Sequence, residues 1–223
     1  MTDIGVRRID LGYFVRPAEE TDTGAARAEA CLGYLIDHPD GLLVVDTGMG
    51  RDDWVDGHYR PRRVPLAAAL ARAGRTPADV AGVLNCHLHF DHCGGNPQLP
   101  GRPVFTQRAE LAAARHETDY TLPELIDAPG LTYVELDGET EIMPGVLVIP
   151  TPGHTEGHQS VAVRRADGTV VVAGQSHDTA TGYSADAMAH RAGIGSPPAW
   201  IARLSELDPR RVYFAHDNAV WTP

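Results

Sequence analysis

The sequence predicts an α/β fold made of two mixed β-sheets with helices on their outer faces. Three observations predict it. Short apolar runs bounded by Gly, Pro and Asp recur along the chain, Ala- and Leu-rich stretches fall between them, and hairpin patterns occur in both halves. In the first part, residues 6–15, 31–36 and 42–45 read as the strands of a meander. Residues 64–73 read as a helix ended by Gly74. Thr76-Pro77-Ala78-Asp79 then carries an N-cap residue with a proline at the first helical position, so a second short helix starts there. Residues 80–84 feed a strand whose end carries a histidine cluster, followed by a strand at 104–106, a helix near 108–115 and a strand at 131–136. Later, 146–149, 160–164 and 169–173 read as strands, the last two joined by a hairpin through Ala166-Asp167-Gly168. A helix at 200–207 and a strand at 212–215 follow. Neither a linker nor a low-complexity stretch divides the 223 residues, so 1–223 reads as one domain.

Composition narrows the chemistry. With 43% hydrophobic and 22% charged residues the chain reads as a soluble globular protein, not a disordered or collagen-like one. The formal charge is −11, and every one of the 19 basic residues is arginine. The absence of lysine removes Schiff-base chemistry and any P-loop that needs its phosphate-binding lysine. The acidic balance also argues against nucleic-acid binding, which relies on cations to displace counterions. Three cysteines, an odd number, suit a reducing interior better than a disulfide framework. No stretch approaches the roughly 18 apolar residues of a membrane span, and residues 1–10 lack a leader pattern. A cytoplasmic protein acting on a small molecule, with neither nucleic acid nor membrane as partner, is the expectation; monomer and homodimer both stay open.

The strongest chemical pattern is His87-Leu88-His89-Phe90-Asp91-His92, directly after an apolar strand and before Cys93-Gly94-Gly95-Asn96. Alternate residues of an extended segment point the same way, so His87 and His89 can share one metal while Asp91 and His92 turn toward a neighbouring position. His154 and His216 each lie just after another apolar strand, where strand ends could converge on the first cluster. His158 reads as a supporting residue. Cys86 and Cys93 read as structural, and Arg60-Pro61-Arg62-Arg63 as an exposed loop.

The pattern His87-x-His89-x-Asp91-His92, then His154, then His216, resembles that of the metallo-β-lactamase fold hydrolases. The resemblance includes Asp46-Thr47-Gly48, where the family's aspartate supports the metal loops. Within that superfamily, Gly94-Gly95-Asn96 and Thr151-Pro152-Gly153-His154-Thr155 with Gly157-His158-Gln159-Ser160 are most similar to the N-acyl homoserine lactonases. The resemblance implies an αββα sandwich and two zinc ions, one on His87, His89 and His154, the other on Asp91, His92 and His216. It implies a zinc-held hydroxide that opens a lactone or related ester, with Asp91 as the catalytic proton shuttle. Phe90 is a candidate substrate contact. The acyl pocket is expected from loops near 13–31 and 54–59.

One departure bears on the metal count. The family's bridging aspartate would follow the strand at 170–173, where this chain reads Gly174-Gln175-Ser176-His177-Asp178. A neutral amide does not bridge two cations well, so the second site is weaker, or a single ion binds, or His177 or Asp178 serves in place of Gln175. The lactonases' substrate-holding tyrosine falls on Asp178, and Tyr183 is the candidate substitute. Three alternatives accompany this reading: a thioester hydrolase of the glyoxalase II kind, a degenerate non-catalytic member of the fold, and a serine hydrolase using Ser176 at an elbow that lacks its final glycine.

Overall fold

The computed structural model describes residues 4–21 and 23–223, so residues 1–3, read above for a leader, lie outside it. Two sheets face each other. The first takes the meander β1 (Gly5–Arg16), β2 (Arg27–His38) and β3 (Gly41–Val45). After α1 (Asp53–Tyr59), the two-residue β4 (Arg62–Arg63) and α2 (Leu66–Arg72), the chain adds β5 (Val80–Leu84). The histidine-rich turn contains the single-turn α3 (Phe90–Cys93). There follow β6 (Pro103–Gln107), α4 (Arg108–His116), the single-turn α5 (Pro123–Ile126) and β7 (Thr132–Leu136). The strand order is β4-β1-β2-β3-β5-β6-β7, antiparallel on the β1–β3 side and parallel from β3 to β7.

The second sheet is built from β8 (Thr140–Met143), β9 (Val146–Pro150), β10 (Gln159–Arg165), β11 (Gly168–Val172) and, after α6 (Ala180–Ala192) and α7 (Trp200–Glu206), β12 (Pro209–Tyr213). Its order is β12-β11-β10-β9-β8, with β11 and β12 parallel and the rest antiparallel.

The period-2 alternation of side chains explains the layering. Tyr34 and Ile36 of β2, Leu43 and Val45 of β3, and Leu84 of β5 pack between the sheets against Val146, Val148, Val161 and Val163. Their sequence neighbours Leu35, Val44 and Val83 turn outward against Leu66, Ala69 and Leu70 of α2. On the far side Leu147, Ile149, Ala162 and Val171 meet Tyr183 of α6 and Trp200, Ile201 and Leu204 of α7. Helix, sheet, sheet and helix stack as expected. No helix among the described residues is long and apolar enough to cross a membrane.

The structure corrects three local readings. Thr76 opens only a 3-10 turn over Pro77–Asp79, closed by a capping box between Thr76 and Asp79. Arg62–Arg63 is not a free loop: it pairs with Gly12 and Tyr13 of β1, and the Arg63 Nε donates to the Gly50 carbonyl at 2.9 Å. The third concerns residues 180–192, given no element above, which form α6, the longest helix among the described residues.

Candidate metal centre

Five strand ends build the centre. Asp46 follows β3 and residues 85–92 follow β5, residues 151–158 connect β9 to β10, Gly174-Gln175 follows β11, and His216 closes the turn after β12. Backbone bonds lace these ends together: Asp46 N–H to Leu84 O at 2.9 Å, Gln159 N–H to Cys86 O at 2.8 Å, and Ala215 N–H to Gly174 O at 2.9 Å. Gly174 is required where it stands, since its φ is +57° and a Cβ there would fall 2.4 Å from the Cys86 Cβ.

Three groups of donor side chains result; one, Cys86 with His87 and His92, lies behind the other two. The ligand atoms of His87, His89 and His154 lie within 4.8 Å of one another, as do those of Asp91, His92 and His216. In the first group the His89 Nδ1 is 3.0 Å from the His87 Nε2 and 3.2 Å from the His154 Nε2. Burial drives all three imidazoles toward the neutral form, His89 to about 4 and His154 to about 3, with His87 well below its ordinary range.

In the second group the His216 Nε2 is 3.2 Å from the His92 Nε2, and the Asp91 Oδ2 is 3.4 and 3.5 Å from the two rings. The opposite ring nitrogens decide the tautomers. His216 Nδ1 faces the Ala30 carbonyl at 2.8 Å, and His92 Nδ1 faces the Asp46 carboxylate at 3.0 Å. Both must donate there, which leaves Nε2 lone pairs turned on one another and on the Asp91 carboxylate. Such a pocket of acceptors needs a cation. Burial works against a proton on His92, yet the Asp91 and Asp46 carboxylates beside it favour the charged form, and its pKa stands well above the usual value. Burial likewise disfavours the Asp91 carboxylate, but His92 and His216 outweigh it and hold its pKa far below the ordinary range. Imidazole and carboxylate donors of this kind fit a divalent ion such as zinc.

Several supporting residues have no distinctive local pattern. Glu110 of α4 is buried and accepts from the Leu88 N–H at 2.7 Å, from the Thr155 hydroxyl at 2.7 Å and from the Tyr120 hydroxyl. One carboxylate thereby fixes the turn between His87 and His89 and the loop carrying His154. The Asn85 amide donates to His92 O at 2.9 Å and accepts from Asn96 at 2.8 Å, and the Thr47 hydroxyl donates to the Asn96 side chain at 2.7 Å. Cys86 does more than pack: its Sγ lies 3.1 Å from Asp46 Oδ2 and 3.2 and 3.3 Å from the Nδ1 atoms of His87 and His92. Burial pushes its thiol up to about 12, so it enters these contacts as S–H. Cys93, buried with its Sγ on Leu88 O, is structural as expected. His158 is a brace: its Nε2 accepts the Gln175 N–H at 3.1 Å.

Both groups open into a cavity of about 680 Å3 lined by Phe14, Trp54, Tyr59, Phe90, Leu122 and Gln175 among others. Tyr59 stacks on Phe90 at 5.0 Å, and Phe14 meets both rings edge-on. The segments at 13–31 and 54–59 contribute Phe14, Arg16 and α1 residues to the lining, and Phe90 lines the cavity as well.

Other candidates lie elsewhere. Tyr183 is 1% exposed and packs on Phe214 and Trp221 beneath α6, so it does not reach the cavity. His177 turns to Asp186 at 3.0 Å and rests edge-on against Trp200, away from the donors. Asp178 is held by Arg27 at 2.8 Å. Of the three residues considered for the bridging position only Gln175 meets the cluster, its Oε1 3.1 Å from His216 Nε2. Ser176, the nucleophile of the serine-hydrolase alternative, does not line the cavity, and its hydroxyl is 3.5 Å from the adjacent His177.

Comparison with known proteins places the chain among relatives of one family. The family description "Metallo-beta-lactamase superfamily" matches residues 26–216. An N-acyl homoserine lactonase from a Bacillus species is 38% identical over 143 residues, covering 58% of this chain and 56% of that protein, and one from Bacillus cereus is 36% identical over the same length. The chain thus spans about half the length of the curated relatives it matches. Among solved structures, an N-acyl homoserine lactone hydrolase with the product N-hexanoyl-L-homoserine at its catalytic metal centre superimposes with a TM-score of 0.79 at 26% identity, covering 98% of this chain and 95% of that one. A quorum-quenching N-acyl homoserine lactone lactonase gives 0.79 at 28% identity, covering 98% and 94%.

Proposed function

The chain belongs to the metallo-beta-lactamase superfamily, and from that membership we propose that it is a metal-dependent hydrolase opening a lactone of the N-acyl homoserine lactone kind or a related ester. The observation that carries the reading is the placement of two donor groups at one end of a cavity with a continuous aromatic wall. His87, His89 and His154 would hold one zinc ion, and Asp91, His92 and His216 a second. Bound there, zinc supplies Lewis acidity for the carbonyl and an acidified water as nucleophile.

The chain's own residues supply the rest. Asp91 lines the cavity, where its carboxylate is placed to take the proton released by the attacking water and return it to the leaving alkoxide. Phe14, Tyr59 and Phe90 offer apolar faces to an acyl chain and keep water from the reacting end. Asp52, Asp119 and Glu124 add carboxylates to the lining, while its one arginine, Arg16, is paired with Glu29, a balance that disfavours an anionic substrate such as a glutathione thioester and tolerates a neutral lactone. That difference favours the lactone over the glyoxalase II alternative.

The test is proton release from N-hexanoyl homoserine lactone by zinc-loaded protein, run beside S-lactoylglutathione. The lactone is expected to react, to stop reacting when a chelator is added, and to react about a hundredfold or more slowly with Asp91→Asn. Hydrolysis of the thioester alone, or of neither, would overturn the reading.

A further inference from the structure

We propose that Gln175 is a neutral ligand belonging to the Asp91, His92 and His216 group alone, aimed there by Asp178 and Arg27, so that it forms no side-chain bridge to the other donor group. The inference rests on the metal-hydrolase reading and deepens it.

The orientation of the Gln175 amide follows from its two neighbours. Its Nε2 lies 3.3 Å from Asp178 Oδ1, and the other oxygen of Asp178 receives the Arg27 guanidinium at 2.8 Å. A carboxylate only accepts, so the NH2 end must face Asp178 and the carbonyl end must face the donor group. Arg27 is itself anchored, its Nε bonding Glu29 Oε1 at 2.6 Å, and Glu29 also takes a two-pronged contact from Arg16 at 2.7 and 2.8 Å. The backbone end is equally constrained, by the Gln175 N–H bond to His158 and by the left-handed Gly174 packed on Cys86.

At the other end Oε1 stands 3.1 Å from a His216 nitrogen that has no proton to give, because the opposite ring nitrogen donates to Ala30 O. Two acceptors in contact inside a buried pocket are repulsive unless a cation lies between them. The residue is 4% exposed, so water does not relieve the contact. Unlike a carboxylate, which can offer one oxygen to each of two ions and a charge to both, an amide offers a single carbonyl oxygen and no net charge. The NH2 end is committed to Asp178. Its one remaining oxygen, turned toward His216, lacks the negative charge that sharing between two cations requires.

The experiment is zinc titration of the whole chain against a chromophoric chelator, which reads two binding equivalents separately, with cobalt absorption spectra as a second readout of each site and thermal melting as the folding control. Gln175→Met is expected to weaken one equivalent about tenfold or more and leave the other unmoved. Asp178→Asn, which removes the acceptor that orients the amide, is expected to weaken that same equivalent. In a Gln175→Glu background, where no NH2 remains to be oriented, Asp178→Asn should no longer weaken it. A general structural effect of Asp178 would persist in that background. Both equivalents shifting together in Gln175→Met, as for a shared bridge, or neither shifting, overturns the inference while leaving the metal-hydrolase reading intact. Failure of the unaltered chain to bind zinc overturns both.

Discussion

Glu110 is the residue on which the two histidine loops most depend. It lies 18 positions beyond the histidine-rich turn in sequence, and its carboxylate satisfies three buried or half-buried donors. Burial raises its pKa, while the bonds from Tyr120, Thr155 and Leu88 pull it down. Glu110→Ala leaves those donors unpaired, and its expected cost is about 3 kcal/mol in urea unfolding together with a zinc affinity lowered about tenfold or more. Unchanged zinc affinity would show that the carboxylate holds the fold and not the ligands. Its role is invisible to local reading, because a glutamate in the first turn of a helix is ordinary there. The six donors are legible for the opposite reason: His87, His89, Asp91 and His92 are crowded into one turn, and His154 and His216 each follow an apolar strand. Gln175 is legible only as a departure from the family pattern. Choosing among Gln175, His177 and Asp178 depends on which way each side chain turns, and that requires the packing of α6 and the position of Arg27.

Strands declare themselves more clearly than helices in this chain. Val-, Ile- and Leu-rich runs bounded by turn residues give nearly every strand, but β8, Thr140–Met143, carries only partly buried or exposed residues and so lacks an apolar run. The helix α6 escapes notice because only Ala180 and Tyr183 of its thirteen residues are buried and Gly182 interrupts its first turn. Its ends carry the available clue: Thr179 accepts the Gly182 N–H, and Gly193 takes the left-handed conformation just past the last turn. Among the strands, β1 and β2 are joined by a charged clamp in which Asp37 of β2 binds Arg7 at 2.8 Å and Arg75 at 2.9 Å. Burial favours the neutral acid, but the bonds from Arg7 and Arg75 prevail and depress the Asp37 pKa. A depressed carboxyl pKa contributes stability that is present above the unfolded value of about 3.9 and is lost as pH falls through the folded value. Asp37→Asn is therefore expected to cost about 0.5–1 kcal/mol at pH 7 and less at pH 2. Equal losses at both pH values in urea melts would show that the clamp is not electrostatic.

At the scale of the molecule, the two sheets bring five sequence-distant strand ends to one place, and their loops crowd imidazole and carboxylate donors there. The layered architecture is legible from the order of strands and helices. The cavity is less so, because its aromatic wall joins Phe14 of β1, Tyr59 of α1 and Phe90 of the histidine turn, residues that only the folded meander brings together. We propose that this arrangement holds two divalent ions, one on the His87, His89 and His154 group and one on the Asp91, His92 and His216 group. The most direct test is zinc per chain, measured by plasma mass spectrometry on protein dialysed against micromolar zinc and then freed of unbound metal. Two equivalents are predicted, falling to one in a chain carrying His154→Ala and His89→Ala together. A single equivalent in the unaltered chain, or none, would contradict the account.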